Sequence, residues 1–204
     1  MNRLAFWLAK MRGDEAALSR LGAAEGALLG ELAGKRVAIV GNARALAEGQ
    51  AGEAIDSADL VIRVNGAPMP QVLSHGKRTD WLGVSIPVTR DVVETRGPKR
   101  IVWVTPKRKR LPWWMARDVR FALYPAARHA DLVRRLGRRP TTGLMLIDFV
   151  AGSEATAITL YGFDFFASQS LSGSRTAAEV PHDFPAEAAF VADLEARDAR
   201  VRRG

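Results

Sequence analysis

Two short β-branched runs, each stopping at a Gly/Asn turn, constrain the fold of this chain more than any other feature. Lys35-Arg36-Val37-Ala38-Ile39-Val40 ends in Gly41-Asn42. Asp59-Leu60-Val61-Ile62-Arg63-Val64 ends in Asn65-Gly66-Ala67-Pro68. Runs of this length and branching read as strands buried in a parallel sheet. Open α/β sheets bind their ligands outside the carboxyl ends of such strands. Asn42 and Asn65 are therefore delivered to a binding rim. Their neutral amides offer donors and acceptors. That chemistry suits a nucleotide base, a ribose or a phosphate better than a metal.

The alternation continues along the chain. Strand-like runs at 36–40, 59–64, 80–84, 100–105, 119–124 and 156–161 are interleaved with helical stretches near 43–55, 126–136, 142–152 and 184–198. This pattern predicts a doubly wound α/β domain. Residues 1–34 read as an Ala/Leu-rich helical segment, with Leu18, Leu21, Leu28 and Leu32 close to helical spacing and Gly22, Gly26 and Gly30 weakening it. Residues 35–204 form the binding domain. A loop rich in Ser, Gly and Thr, Ala167 to Pro181, separates the last predicted strand from the last predicted helix. A loop of that length inside one domain is usually functional or mobile.

Composition removes several chemistries. There is no cysteine, so disulfides, thiolate nucleophiles and Cys-containing metal sites are excluded, which fits a reducing, cytoplasmic compartment. The three histidines, His75, His129 and His182, are the few candidates for a base near neutral pH. The formal net charge is +8, with basic clusters at 107–110, 134–135, 138–139 and 200–203. Aromatic residues are not interleaved with these clusters in an RNA-binding pattern, so nucleic acid is not the expected partner. No apolar run approaches the roughly 18 residues of a membrane span. Residues 1–12 are short and amphipathic, and Phe6, Trp7 and Lys10 can lie at a membrane surface. An ordinary docking helix is the plainer reading of the same stretch.

Two further segments carry chemistry. In Arg138-Arg139-Pro140-Thr141-Thr142-Gly143-Leu144, hydroxyls and a glycine precede an apolar helical run. That is a helix N-terminus, whose free N–H groups and dipole attract phosphate. Plain N-capping explains it equally well when it stands alone. In Pro181-His182-Asp183-Phe184-Pro185-Ala186-Glu187, a histidine precedes a helix whose first turn holds a carboxylate. An imidazole so placed can serve as a general base.

Taken in order, the three segments resemble the sialylmotifs of the animal-type sialyltransferase family. The large motif is similar to Val37 to Pro68, with its Val-Gly-Asn turn, its Gly-x-x-Ile-Asp at Gly52 to Asp56, and its Ile-Arg-x-Asn-x-Ala-Pro ending. Gly76-Lys77-Arg78-Thr79-Asp80 resembles the stretch that follows it in the family. The small motif is similar to Pro140 to Gly162, and the very small motif, a histidine followed by four residues and a glutamate, to His182 and Glu187.

The resemblance implies a single Rossmann-like domain of modified GT-A type. It implies a metal-independent inverting glycosyltransferase that uses a CMP-activated sialic acid and no cofactor. On this likeness Gly41, Asn42 and Asn65 hold the nucleotide. Thr141, Thr142 and Gly143 take its ribose and phosphate side. His182 is the base, and Glu187 supports it. The missing Asp-x-Asp motif agrees with metal independence. Animal members join the large and small motifs by a disulfide, which this chain has no cysteine to form. They also carry a phosphate-contacting histidine between the small and very small motifs. Here Arg175 is the candidate replacement for its charge.

The expected reaction transfers sialic acid, a related nonulosonic acid or Kdo to a saccharide or glycolipid acceptor in surface-glycan synthesis. The expected place is the cytoplasm, at the inner face of the membrane if residues 1–12 make peripheral contact. The alternative is an inactive nucleotide-binding or membrane-peripheral scaffold of the same fold.

Overall fold

The computed structural model describes residues 1–164 and 182–204. Seven strands form one sheet: β1 (Arg36–Val40), β2 (Leu60–Val64), β3 (Trp81–Val84), β4 (Arg100–Trp103), β5 (Phe121–Leu123), β6 (Ala157–Tyr161) and β7 (Val201–Arg203). Their order is β5-β4-β3-β2-β1-β6-β7, and every neighbouring pair is parallel. The chain winds outward from β1 to β5, then returns to the far side of β1 for β6 and β7. The winding direction therefore reverses between β1 and β6, where such sheets open a binding crevice. The doubly wound α/β reading holds.

Helices cover both faces. One core joins the sheet to α3 (Glu25–Leu32), α8 (Ala126–Leu136), α9 (Thr142–Ala151) and α10 (Phe184–Arg197), through Leu28, Leu132, Ile147 and Val191 among others. α9 is apolar around most of its circumference, so it lies in the core rather than on the surface. Gly83 of β3 lets it come close, because a Cβ there would sit 2.5 Å from the Leu146 side chain. On the opposite face α1 (Arg3–Arg12), α2 (Glu15–Ser19), α6 (Arg90–Arg96) and α7 (Trp113–Ala116) pack on β3 to β5 through Phe6, Leu18, Val93 and Met115. Ile55 of α4 (Gly52–Asp56) packs under β1, β2 and β6 with Val40, Val61 and Tyr161.

Several boundaries differ from the sequence reading. The predicted helix at 43–55 is two pieces, a 3₁₀ turn at Arg44–Glu48 and α4, split at Gly49. The first 34 residues hold three helices, and Ala23 bridges Ala122 beside β5. The loop reading that placed α10 last is corrected: β7 follows it and extends the sheet beyond β6.

The Gly-x-x-Ile-Asp of the large motif serves the fold. The Asp56 carboxylate accepts from the Lys77 and Arg78 N–H groups (2.9 and 3.0 Å), pinning the loop after α5 (Val72–His75). From the sheet side Arg63 reaches the same loop, donating to the carbonyls of Arg78 (2.7 Å) and His75 (2.6 Å). Burial lowers the Arg63 pKa to about 10, and the Asp56 charge opposes that. Gly52 admits α5 alongside α4, since a Cβ there would meet the Val72 carbonyl oxygen at 2.0 Å. Gly52→Ala is therefore expected to destabilise the protein by about 2–4 kcal/mol, as an overpacked backbone contact that no flexible side chain can relieve. Urea unfolding measures this, and an unchanged midpoint would contradict the close packing.

Candidate active site

The ends of β1, β2, β3 and β6 and the start of α9 meet at one rim. At the β1–β6 junction two backbones touch. Gly41 N–H donates to the Tyr161 carbonyl (2.8 Å), and Ala43 N–H to that of Gly162 (3.2 Å). A Cβ on Gly41 would lie 2.3 Å from the Gly162 oxygen, and Gly162 itself has φ +66°. Only glycine fits both demands. Asn42 follows, its Nδ2 donating to the Val64 carbonyl at 3.3 Å, so the β1 turn is tied to the end of β2.

Asn65 sits in the left-handed region, φ 53°. Asparagine tolerates that conformation better than most residues. Its N–H donates to Gly83 O (2.8 Å), and its Oδ1 accepts from Ser85 N–H (3.0 Å). Ser85 Oγ in turn accepts from Thr142 Oγ1 at 2.7 Å. Asn65, Ser85 and Thr142 thus form a chain of contacts across the ends of β2, β3 and α9. Sequence reading missed Ser85. The signal was present, because Ser85 directly follows the strand predicted at 80–84, but the adjacency of the two strands is a property of the topology.

Thr141 caps α9, its Oγ1 accepting from Leu144 N–H at 3.1 Å. The same hydroxyl donates to Glu187 Oε2 (2.7 Å), and Thr141 N–H donates to Glu187 Oε1 (2.6 Å). Both carboxylate oxygens of Glu187 are engaged by Thr141, and the residue is 1% exposed. Burial raises the Glu187 pKa to about 7, against the two Thr141 hydrogen bonds that lower it. Glu187 therefore acts on the rim by fixing the start of α9. The side chains of Thr141 and Thr142 are spent inside the protein. The first-turn N–H groups of Thr142 and Gly143 have no partner among the described residues, which is the usual state of a helix start. Gly143 lies under the Phe163 ring, where a Cβ would meet it at 2.5 Å.

His182 stands next to this assembly. Its Nδ1 is 3.0 Å from the Arg139 carbonyl, two residues before Thr141. A carbonyl oxygen only accepts, so Nδ1 carries the proton and Nε2 keeps its lone pair. Burial holds the imidazole below its usual pKa, opposed by the hydrogen bond to Arg139 O, while the Arg139 and Lys107 charges add to the lowering. The result is a neutral imidazole whose basic nitrogen has no hydrogen-bond partner among the described residues. The other two histidines are placed elsewhere. His75 lies 1% exposed beneath the Arg63 network, and His129 belongs to α8. Arg175 and the Ala167–Pro181 loop lie outside the described residues.

The rim thus brings together Gly41, Asn42, Asn65, Thr141, Thr142, Gly143, Glu187 and His182. It offers amide groups, helix-start N–H donors and one neutral base.

Comparison with known proteins bears on the fold and on the first part of the chain. Residues 8–99 match the model of "Glycosyltransferase family 29 (sialyltransferase)". That span holds the large motif, whereas the α9 start and His182 fall outside it. No curated protein matches the chain. A crystal structure of a mammalian sialyltransferase is 21% identical, with a TM-score of 0.67, covering 100% of this chain and 86% of the other. A mammalian sialyltransferase in complex with Gal-beta-1-3GalNAc-ortho-nitrophenol is also 21% identical, with a TM-score of 0.64, covering 98% and 84%. At that identity these structures speak for the fold. The family match over residues 8–99 and the shared fold both support a glycosyltransferase. The resemblance read from the large motif holds over residues 8–99, where the match is to glycosyltransferase family 29, the sialyltransferases.

Proposed function

We propose that this protein is a metal-independent inverting transferase. It moves a sialic acid or a related acidic keto-sugar from its CMP donor to a saccharide or glycolipid acceptor. The observation that carries this reading is the pairing of His182 with the α9 start. Arg139 O fixes the imidazole, and two residues later the chain enters the helix whose N–H groups face the rim. Asn42 and Asn65 take the nucleoside. Nε2 of His182 removes the proton of the acceptor hydroxyl as that oxygen attacks the anomeric carbon. The bond to the CMP phosphate breaks on the opposite face, the electron pair leaves with CMP, and the configuration inverts. The N–H groups of Thr142 and Gly143 and the α9 dipole stabilise the phosphate charge as it develops, an electrostatic role of the oxyanion-hole kind.

Calorimetry tests the donor site. CMP is expected to bind with equal affinity in the presence and absence of EDTA. Asn65→Ala is expected to weaken binding by about 1–3 kcal/mol, since it strands Ser85 N–H and forces alanine into a left-handed conformation. Absence of binding heat, or binding that EDTA abolishes, overturns the assignment. The scaffold alternative predicts CMP binding without turnover.

A further inference from the structure

We propose that the outer face of α1, with the basic turn at 107–110 beside it, seats this protein on an anionic lipid surface. Sequence reading pointed to Phe6, Trp7 and Lys10 for such contact. The structure reassigns the face. Phe6 is 2% exposed, its ring 4.9 Å from that of Trp113, and Lys10 Nζ donates to the Leu111 carbonyl at 3.2 Å. Both residues are spent clamping α1 to the body.

What points outward is Leu4, Trp7 and Met11, 67%, 51% and 43% exposed. Their i, i+3, i+7 spacing places them on one stripe, where a surface helix ordinarily carries polar residues. Residues 1–13 contain no carboxylate, while Arg3 and Arg12 flank the stripe. A groove lined by residues 10–13, Glu15 and residues 106–110 runs from Met11 of the stripe to the basic turn, and its one carboxylate, Glu15, is held by Arg108.

That turn is rigid. Arg108 is buried at its root, held by Glu15 (2.7 Å), Thr105 O (2.7 Å) and Tyr124 O (2.6 Å). Its neighbours Lys107, Lys109 and Arg110 are exposed, and none makes an ion pair among the described residues. On other surfaces several cations are matched: Arg134 and Arg135 pair with Asp131, and Arg120 with Glu94 and Asp118. On this face Arg3, Arg12, Lys107, Lys109 and Arg110 are exposed beside the apolar stripe, and no ion pair among the described residues neutralises them. An apolar stripe bordered by cations is the pattern of an interfacial helix on anionic lipid. A second copy of this chain is the wrong complement, because a two-fold contact through this face opposes cation to cation.

Lys107 also lowers the His182 pKa, so the basic turn stands within electrostatic reach of the catalytic rim. Seating here would bring the rim toward the headgroup layer. That consequence, presentation of a glycolipid acceptor, rests on the proposed function, whereas the docking itself does not.

The test is flotation of the full chain with vesicles of phosphatidylcholine alone, or with part of it replaced by phosphatidylglycerol. Binding is expected only to the anionic vesicles and is expected to weaken with added salt. Leu4→Ser with Trp7→Ser is expected to reduce partitioning about tenfold or more, by removing most of the apolar contact. Arg12→Glu with Lys109→Glu is expected to reduce it about fivefold or more per charge. Arg134→Glu, on α8, serves as the control and should bind as the parent does. Circular dichroism checks that the variants fold, and transfer to a soluble saccharide should be unchanged in all of them. Equal binding to neutral vesicles, or full binding by the Leu4/Trp7 variant, overturns the proposal. So does sedimentation showing that the same variants dissociate a dimer. Failure of the transferase reading shows as no turnover on any acceptor, with lipid partitioning unaffected.

Discussion

His182→Ala is expected to lower sugar transfer by at least about 10²-fold while CMP affinity stays within about 1 kcal/mol. The argument starts from one hydrogen bond. Arg139 O takes the Nδ1 proton at 3.0 Å, so the Nε2 lone pair is available and the ring orientation is fixed. Burial then disfavours the charged imidazolium, with the Arg139 and Lys107 charges acting in the same direction. The base is therefore neutral at physiological pH, and the acid limb of the rate profile should lie below the ordinary imidazole range. His182→Gln should lose rate to a similar degree, since an amide cannot accept the proton. His75→Ala and His129→Ala should leave the limb where it is. Transfer from a CMP-sugar to an acceptor panel, followed over pH, measures all of this. Full activity in the His182 variants would remove the proposed base. A parallel collapse of CMP affinity would make His182 a phosphate contact instead.

The second large effect concerns Glu187. Truncation to alanine leaves Thr141 N–H and Oγ1 without their partner and opens a void under the α9 start. A loss of about 2–4 kcal/mol of unfolding free energy is expected. Glu187→Gln keeps the shape and both contacts, with its oxygen accepting from Thr141 N–H and its amide donating to Oγ1. The two variants also separate through pH. The Glu187 pKa is raised to about 7 in the folded protein by burial. The folded state therefore binds more protons than the unfolded state between the ordinary glutamate pKa and about 7. Stability from this group is fully present in acid and declines as pH rises through that window, by up to about 3 kcal/mol. The glutamine variant has no such decline, so it should overtake the parent in stability above neutral pH. Urea unfolding at pH 5 and pH 8 provides the measurement. Identical pH slopes in parent and glutamine variant would show that Glu187 does not titrate there.

Much of the frame was legible because its signals are local. Val37 to Val40 and Leu60 to Val64 are β-branched, bounded by turn residues, and appear as β1 and β2 almost where their pattern puts them. The helix predicted at 126–136 is α8, because its periodic face is strong and Gly137 ends it in the left-handed region. What escaped the sequence depends on distant partners. α6 and α7 are one or two turns long and exist because Val93 and Met115 are buried in the face beneath the sheet. β7 is Val-Arg-Arg, with one buried side chain, and it is a strand because β6 offers an open edge. The site divides in the same way. Asn42, Asn65, Thr141 to Gly143 and His182 announce themselves by turn and cap chemistry. The Asn65–Ser85–Thr142 chain, and the clasp of Glu187 on Thr141, follow from which ends the winding brings side by side.

The central position of β1 has a consequence for how the molecule comes into being. Its β2 side can pair early, since the two strands are close in sequence. Its other edge waits for β6, whose partner residues lie about 120 positions later in the chain. Until β6 arrives, β1 presents an open, apolar, parallel-pairing edge to its surroundings. During synthesis that edge stays uncovered while most of the chain is made, and the Gly41–Gly162 junction cannot close before it is covered. The crevice is thus assembled late, from β1 and from a partner strand made about 120 residues after it. A ribosome-stalled or truncated product ending before β6 would hold a nearly complete β1-to-β5 sheet with no crevice, and it would rely on chaperones to keep that edge from its neighbours.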